Sequence, residues 1–252
     1  MDVRQGRAVV VAVRLVKPIK SMVQESVPRI SIVIPVLNEG EQIVGFLRGL
    51  QPYRSQNIEI IVVDGGSGDS TAELAARFAD SIVESAPGRA QQMNRGVDSA
   101  TGDILLFLHA DTSLPNRFRE LLAGRFWESE SSWGRFDVRL SGSHYLFRII
   151  EFFINWRSRL TGIATGDQAI FIKRPVFSRL GGFMPIPFME DIALCKKLKK
   201  MSRPFCIRSP VTTSSRRWEQ EGILRTVLLM WRLRLAYFFG ADPARLVHLY
   251  YR

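Results

Sequence analysis

Four carboxylates and one arginine stand where chemistry on a phosphorylated small molecule would need them. Asp64 ends a mostly apolar strand, residues 58–63, and is followed by Gly65-Gly66-Ser67-Gly68. A carboxylate there can accept hydrogen bonds from a base or ribose, and glycines let backbone amides approach a ligand closely. The competing reading is a turn aspartate that bonds the amides of its own loop. Asp111 closes a second apolar run, residues 104–108, within His109-Ala110-Asp111-Thr112. A strand-end carboxylate suits Mg2+ or Mn2+, which take few protein ligands and keep diphosphate oxygens and water. His109 lies two residues earlier, so an extended chain points both side chains the same way. Its imidazole nitrogen suits Mn2+ better than Mg2+; a histidine satisfied at the strand end is the alternative.

Arg89 follows Pro87-Gly88 at the start of a helical stretch that also carries Asn94. A guanidinium beside the amides of a helix N-terminus makes a phosphate site; a surface arginine is the plain reading. Glu190-Asp191 opens another helix. The helix dipole stabilises carboxylates there, which capping alone explains. The same field keeps an aspartate ionised, as a general base for a hydroxyl must be. Arg216-Arg217-Trp218 sets guanidiniums beside an indole after a run of Thr and Ser. Arg217 either closes over a diphosphate or belongs to a surface pair beside a packed tryptophan.

These positions need elements to hold them. Residues 30–35, 58–63, 81–84 and 103–109 read as strands, with helices over 41–51, from about Ser70, and over 87–100. Ser70 and Glu73 have capping-box spacing. Strand alternating with helix predicts βαβ units and an α/β fold with a mostly parallel, Rossmann-like sheet covered by helices on both faces. Ligands bind such sheets beyond the carboxyl ends of the strands. Asn38 and Glu39 after the first strand therefore join the candidates.

After about Trp133 the pattern becomes mixed α+β. Strands are expected over 136–140 and 168–173, an aromatic-rich helix over 145–160, and a helix from Glu190 with Leu194, Leu198 and Met201 on one face. The tail, 223–239, reads as an amphipathic helix with Arg225, Arg232 and Arg234. The expected division is a basic arm over 1–28 and a single domain over 29–252. Within that domain, 29–132 would be the nucleotide-binding half, 133–222 a mixed α+β half set against it and 223–252 a helical tail.

Composition bounds the partners. The chain has 252 residues, 46% hydrophobic and 23% charged, with a net charge of +11. A basic surface attracts nucleic acid, anionic headgroups or phosphorylated ligands. Cys195 and Cys206 match no zinc spacing and read as reduced thiols. No charge-free stretch is long enough to span a bilayer. No signal peptide is read in the first residues, and the expected location is the cytoplasm, with or without peripheral membrane contact.

Together these segments resemble the family-2 glycosyltransferases of the GT-A fold. The resemblance is carried by Ile34-Pro35-Val36-Leu37-Asn38-Glu39, by 63–71, by Asp111 in the place of the last Asp of the DxD motif, and by Glu190-Asp191 in the place of the ED motif. A finer likeness, over 88–96, 109–112 and Gly166-Asp167-Gln168, is to the arsenosugar-biosynthesis-associated subgroup. The resemblance implies a nucleoside-diphosphate-sugar donor, a divalent cation (Mn2+ or Mg2+) and a small-molecule or lipid hydroxyl acceptor, with no nucleic-acid partner. It implies that Asn38, Glu39, Asp64 and Gly65 surround the nucleoside, Arg89 meets the diphosphate, and Asn94 and Arg217 belong to the donor site. Asp111 with His109 would hold the metal and Asp191 would be the base, supported by Glu190. Asp167 and Gln168 would line the sugar or acceptor pocket. His109 replaces the first acid of DxD, and the QxxRW motif of processive members reads Ser214-Ser215-Arg216-Arg217-Trp218, which favours a non-processive enzyme. The readings that compete are a nucleotidyltransferase, disfavoured because Val36-Leu37-Asn38-Glu39 lacks a glycine- and lysine-bearing loop, and a basic peripheral-membrane-binding protein.

Overall fold

The structure, a computed structural model, describes residues 27–54 and 57–250. The expected basic arm lies, but for its last two residues, outside the described residues. The first half alternates strand and helix as its periodicity dictates: β1 (Ile30–Val36), α1 (Ile43–Leu50), β2 (Ile58–Asp64), α2 (Thr71–Ala76), β3 (Ser81–Glu84), α3 (Arg89–Asp98) and β4 (Ile104–Phe107). The order β3-β2-β1-β4 is parallel throughout. β2 is buried at every position and β1 at all but one, as strands covered on both faces must be.

Alternate residues of β1 feed two cores. Ile32 and Ile34 pack with Leu47 of α1 and Ala75 of α2 on one face. Val33 packs with Met93 of α3 on the other. Gly96 sets that second spacing, because a Cβ there would fall 2.6 Å from Val33 Cγ1 and 2.7 Å from Val63 Cγ2.

Beyond β4 the sheet turns mixed. β5 (Thr112–Ser113), α4 (Phe118–Glu120), β6 (Trp133–Leu140), α5 (Tyr145–Thr161), β7 (Phe171–Lys173), α6 (Arg174–Arg179), α7 (Glu190–Leu198) and β8 (Phe205–Thr213) follow, then α8 (Arg216–Glu221), α9 (Ile223–Phe238) and α10 (Pro243–Tyr250). The eight-stranded order is β3-β2-β1-β4-β7-β6-β8-β5. β7 runs antiparallel to β4 and β6, β5 antiparallel to β8, and β6 parallel to β8. Leu194 and Leu198 of α7 enter the second core, whereas Met201 is past the helix end and exposed. Leu233 of α9 and Leu246 of α10 join Phe188, Met189 and Ile192 in a third cluster beneath the start of α7.

Two local expectations are corrected, and one strand is added. The strand expected over 168–173 is shorter, Phe171–Lys173, because Gln168 ends a 3-10 turn over 166–168 closed by Ala169 in the left-handed region. The Ser70–Glu73 capping box is not made; Asp69 Oδ1 accepts the Thr71 amide instead. β8 was not expected, since Pro210 interrupts its sequence; it sits at the β6–β8 register shift beside Phe136 and Asp137. Cys195 and Cys206 are free thiols, and burial pushes Cys195 up to about 12.

Candidate active site

The carboxyl ends of β1, β2 and β4 converge on the loops that carry most of the candidate residues. Asn38 leaves β1 with a left-handed φ of +54° and Met189 enters α7 at +64°. Side chains other than glycine rarely hold that conformation, which costs of order 1–3 kcal/mol and concentrates at functional sites.

A cavity of about 540 Å³ lies between these loops and the helices α5 and α9, within the range of small-molecule sites. Arg89, His109, Asp111, Asp167, Glu190 and Asp191 share its wall. Asp191 Oδ2 accepts the Gly166 amide at 2.9 Å and Oδ1 accepts the Ile192 amide at 2.7 Å. These amides favour the carboxylate, yet burial is the larger effect and raises the Asp191 pKa above the usual range. Burial, reinforced by Asp191, raises Glu190 to about 7.

The field of this group reaches the nucleotide half. Burial raises Glu39, with Asp111 adding to the rise and Arg216 and Arg89 opposing it. Burial and Arg89 hold His109 down at about 4, so its imidazole is neutral near pH 7. The Nε2 edge of that ring lies against Gly166, where an added Cβ would fall 2.6 Å away. Asp111 is exposed to the cavity, and its Oδ1 accepts the Thr112 hydroxyl at 3.0 Å.

Among the described residues no group of three or more His, Cys, Asp or Glu could hold a metal. An exposed carboxylate and a neutral imidazole on one cavity wall do fit an ion that takes its remaining ligands from a diphosphate and water.

Several candidates have other partners. Asp64 Oδ2 accepts the Gly66 and Ser67 amides at 3.1 and 3.0 Å, which is the turn-aspartate arrangement. Asn38 Oδ1 accepts the Gly68 amide at 2.8 Å, so the β1 and β2 loops are wired together. Gly65 passes Gln92, whose amide donates to Val36 O and Val63 O at 2.8 and 2.9 Å. Asn94 is spent on Phe183, donating to its carbonyl and accepting from its amide, both at 2.9 Å. Gln168 is fully buried and accepts the Thr165 amide at 3.3 Å, so it shapes the 166–168 turn and does not line the cavity. Arg217 does line it, but its guanidinium stacks 3.6 Å from the Tyr250 ring centroid and pairs with Glu221 at 3.1 Å. It fastens α10 to α8.

Sequence reasoning missed two cavity residues, Arg157 of α5 and Arg234 of α9. The signal was present: each arginine falls on the apolar stripe of its helix, seven residues after Ile150 and after Val227.

An α/β sheet with this order, flanked by helices and closed by C-terminal helices, is a GT-A-like architecture. The family model described as Glycosyl transferase family 2 matches residues 31–181. The chain belongs to that family. The PGL/p-HBAD biosynthesis glycosyltransferase of Mycobacterium bovis (strain BCG / Pasteur 1173P2) is 40% identical over 94 residues, 34% of this chain and 37% of the relative. Glycosyltransferase AglE of Haloferax volcanii is 35% identical over 97 residues, 35% of this chain and 32% of the relative. The chain thus spans about a third of the length of these curated relatives. The mannosyltransferase PcManGT from Pyrobaculum calidifontis, solved with GDP-Man and Mn2+, superposes with a TM-score of 0.59 at 25% identity, covering 84% of this chain and 62% of that one. Glucosyl-3-phosphoglycerate synthase from Mycobacterium tuberculosis shares the fold at a TM-score of 0.60 and 20% identity, over 85% and 81% of the chains. No helix among the described residues is long and apolar enough to cross a membrane.

Proposed function

We propose that this chain transfers a sugar from a nucleoside-diphosphate donor to a hydroxyl acceptor by a single, inverting, metal-assisted and non-processive displacement. The observation that carries this reading is Asp191: a carboxylate oriented by two backbone amides, on the same cavity wall as Arg89 and Asp111. The likeness to a mannosyltransferase solved with GDP-Man and Mn2+ supports a nucleotide-sugar donor and a divalent cation.

In this reading Asp111, with His109, would hold a divalent ion. When bound, that ion offsets charge developing on the leaving group. Arg89, at the first turn of α3, adds a guanidinium and the helix N-terminus to the same task. Asp191 takes the acceptor proton as the new bond forms. Glu190, being half-protonated near pH 7, spares Asp191 a second full negative charge beside it. Glu39, joined electrostatically to Arg89 and Arg216, lies on the nucleoside side. Asn38, Asp64 and Gly65 act there by shaping the loops, and Asp167 faces the transferred sugar.

Residues 29–132 supply the donor half and 133–222 the acceptor half. The likeness to the arsenosugar-associated subgroup stands on its three short segments and does not choose an acceptor. A thermal-shift panel of UDP-, GDP- and dTDP-sugars with Mn2+ or Mg2+ tests the reading, because a ligand of the folded state raises its melting temperature. One donor series is expected to shift the protein in a metal-dependent way; no shift with any of them overturns it.

A further inference from the structure

One wall of the cavity is made by α5 and α9, and both helices place a cation where their periodicity calls for an apolar residue. Ile150, Phe153, Ile154 and Arg157 follow one helical stripe; Val227, Met230, Trp231 and Arg234 follow the other. Arg157 Nη2 and Arg234 Nε are buried without a hydrogen-bond partner. Asp167 and Asp191 act on Arg157 through the field, but neither arginine makes an ion pair among the described residues. Buried guanidinium nitrogens left unbonded are costly, and an anion entering the cavity relieves that cost.

The outer surface of the same two helices supplies a second, independent observation. Phe152 and Phe153 on α5 are 62% and 54% exposed, and Leu224, Leu228 and Phe238 on α9 are 69%, 68% and 73% exposed. Trp156 and Trp231 line the cavity and are also more than half exposed, so the cavity opens through this apolar face. Patches of this kind on a soluble fold mark interaction sites. α9 carries three arginines and no carboxylate, with Arg225 and Arg232 exposed. An apolar helix face with tryptophan and flanking arginines is the pattern of a helix lying in a membrane interface. Self-association fits less well, since a twofold contact would set this cationic helix against its own copy.

We propose that the α5–α9 face docks on an anionic bilayer and that the cavity draws its acceptor from it, a lipid whose phosphate-bearing headgroup is held by Arg157 and Arg234. This rests on the glycosyl-transfer reading and adds the class of acceptor. The lipid chain would leave between Trp156 and Trp231. The headgroup hydroxyl would face Asp191, which takes its proton while the anomeric carbon–oxygen bond to the diphosphate breaks and the new one forms.

The test uses the full chain, co-sedimented with vesicles of phosphatidylcholine alone or of equimolar phosphatidylcholine and phosphatidylglycerol. Binding is expected only to the anionic vesicles. It should be lost in Leu228→Glu combined with Leu235→Glu, whose side chains are exposed and off the cavity wall. Arg232→Gln should weaken partitioning about fivefold, the effect of one basic residue at a membrane surface. In a melting assay decyl phosphate should stabilise the protein more than inorganic phosphate at the same concentration, and Arg157→Gln with Arg234→Gln should abolish the shifts. The unliganded melting temperature of the arginine variant checks that it folds. Failure to bind anionic vesicles, equal shifts with inorganic and decyl phosphate, or a native dimer dissolved by Leu228→Glu would each overturn the proposal. The nucleotide-sugar shift, read on the same native and leucine-variant samples, tells failure of this inference from failure of the transferase reading.

Discussion

The Gly166 amide donates to Asp191 Oδ2 at 2.9 Å, joining the turn after α5 to the first turn of α7. Gly166 also lies against His109, where an added Cβ would come within 2.5 Å of Cε1. One residue without a side chain thus touches both the candidate base and the candidate metal ligand. The position of each depends on a backbone contact that neither motif shows in isolation.

Glu190 should leave a thermodynamic signature. Its pKa is raised by burial and by Asp191 from 4.5 to about 7. A carboxyl group with a higher pKa folded than unfolded favours folding when protonated. That contribution is full below the unfolded value and is lost as pH rises through about 7. Glu190→Gln removes the titration. The variant is expected to melt above the native protein at about pH 8 and together with it below about pH 4, by calorimetry.

Asp111→Asn should separate metal from nucleotide. Titration calorimetry with a nucleoside diphosphate should show the Mn2+-dependent gain in affinity falling by at least the roughly 10- to 100-fold that a lesser coordination-shell change costs. His109→Gln, altering a ring whose Nε2 edge is already against Gly166, should cost less.

Asn94→Ala should behave as a structural change. Its amide serves both the carbonyl and the amide of Phe183, so urea unfolding should show a loss of about 1–3 kcal/mol. Donor affinity should be unchanged; a large loss of affinity in a stable variant would return Asn94 to the binding site.

The donor half was readable because β1, β2 and β4 are mostly apolar runs, broken only by Ser31 and Glu59, whose polar successors, Glu39, Asp64 and Asp111, mark the strand ends. Glu190 and Asp191 were readable for the same kind of reason, two acids ahead of a helix. The second half was harder. Pro210 hides β8, which holds its place through a register shift against β6 that no local pattern encodes. The family resemblance implied that Gln168 lines the pocket, but the chain folds it inward to accept the Thr165 amide. Arg157 lay unremarked in a helix read for its aromatic residues, and Arg234 was read only as one of three arginines on an amphipathic tail helix; the tertiary fold brings both to one cavity.

The central claim is that Asp191 is the base of a glycosyl transfer. Its most direct test is turnover by Asp191→Asn beside donor binding by the same protein. The account predicts a rate lowered about 100- to 10,000-fold, the usual worth of a positioned base, with the metal-dependent nucleotide-sugar thermal shift retained. Turnover within about tenfold of the native rate, with donor binding intact, would contradict it.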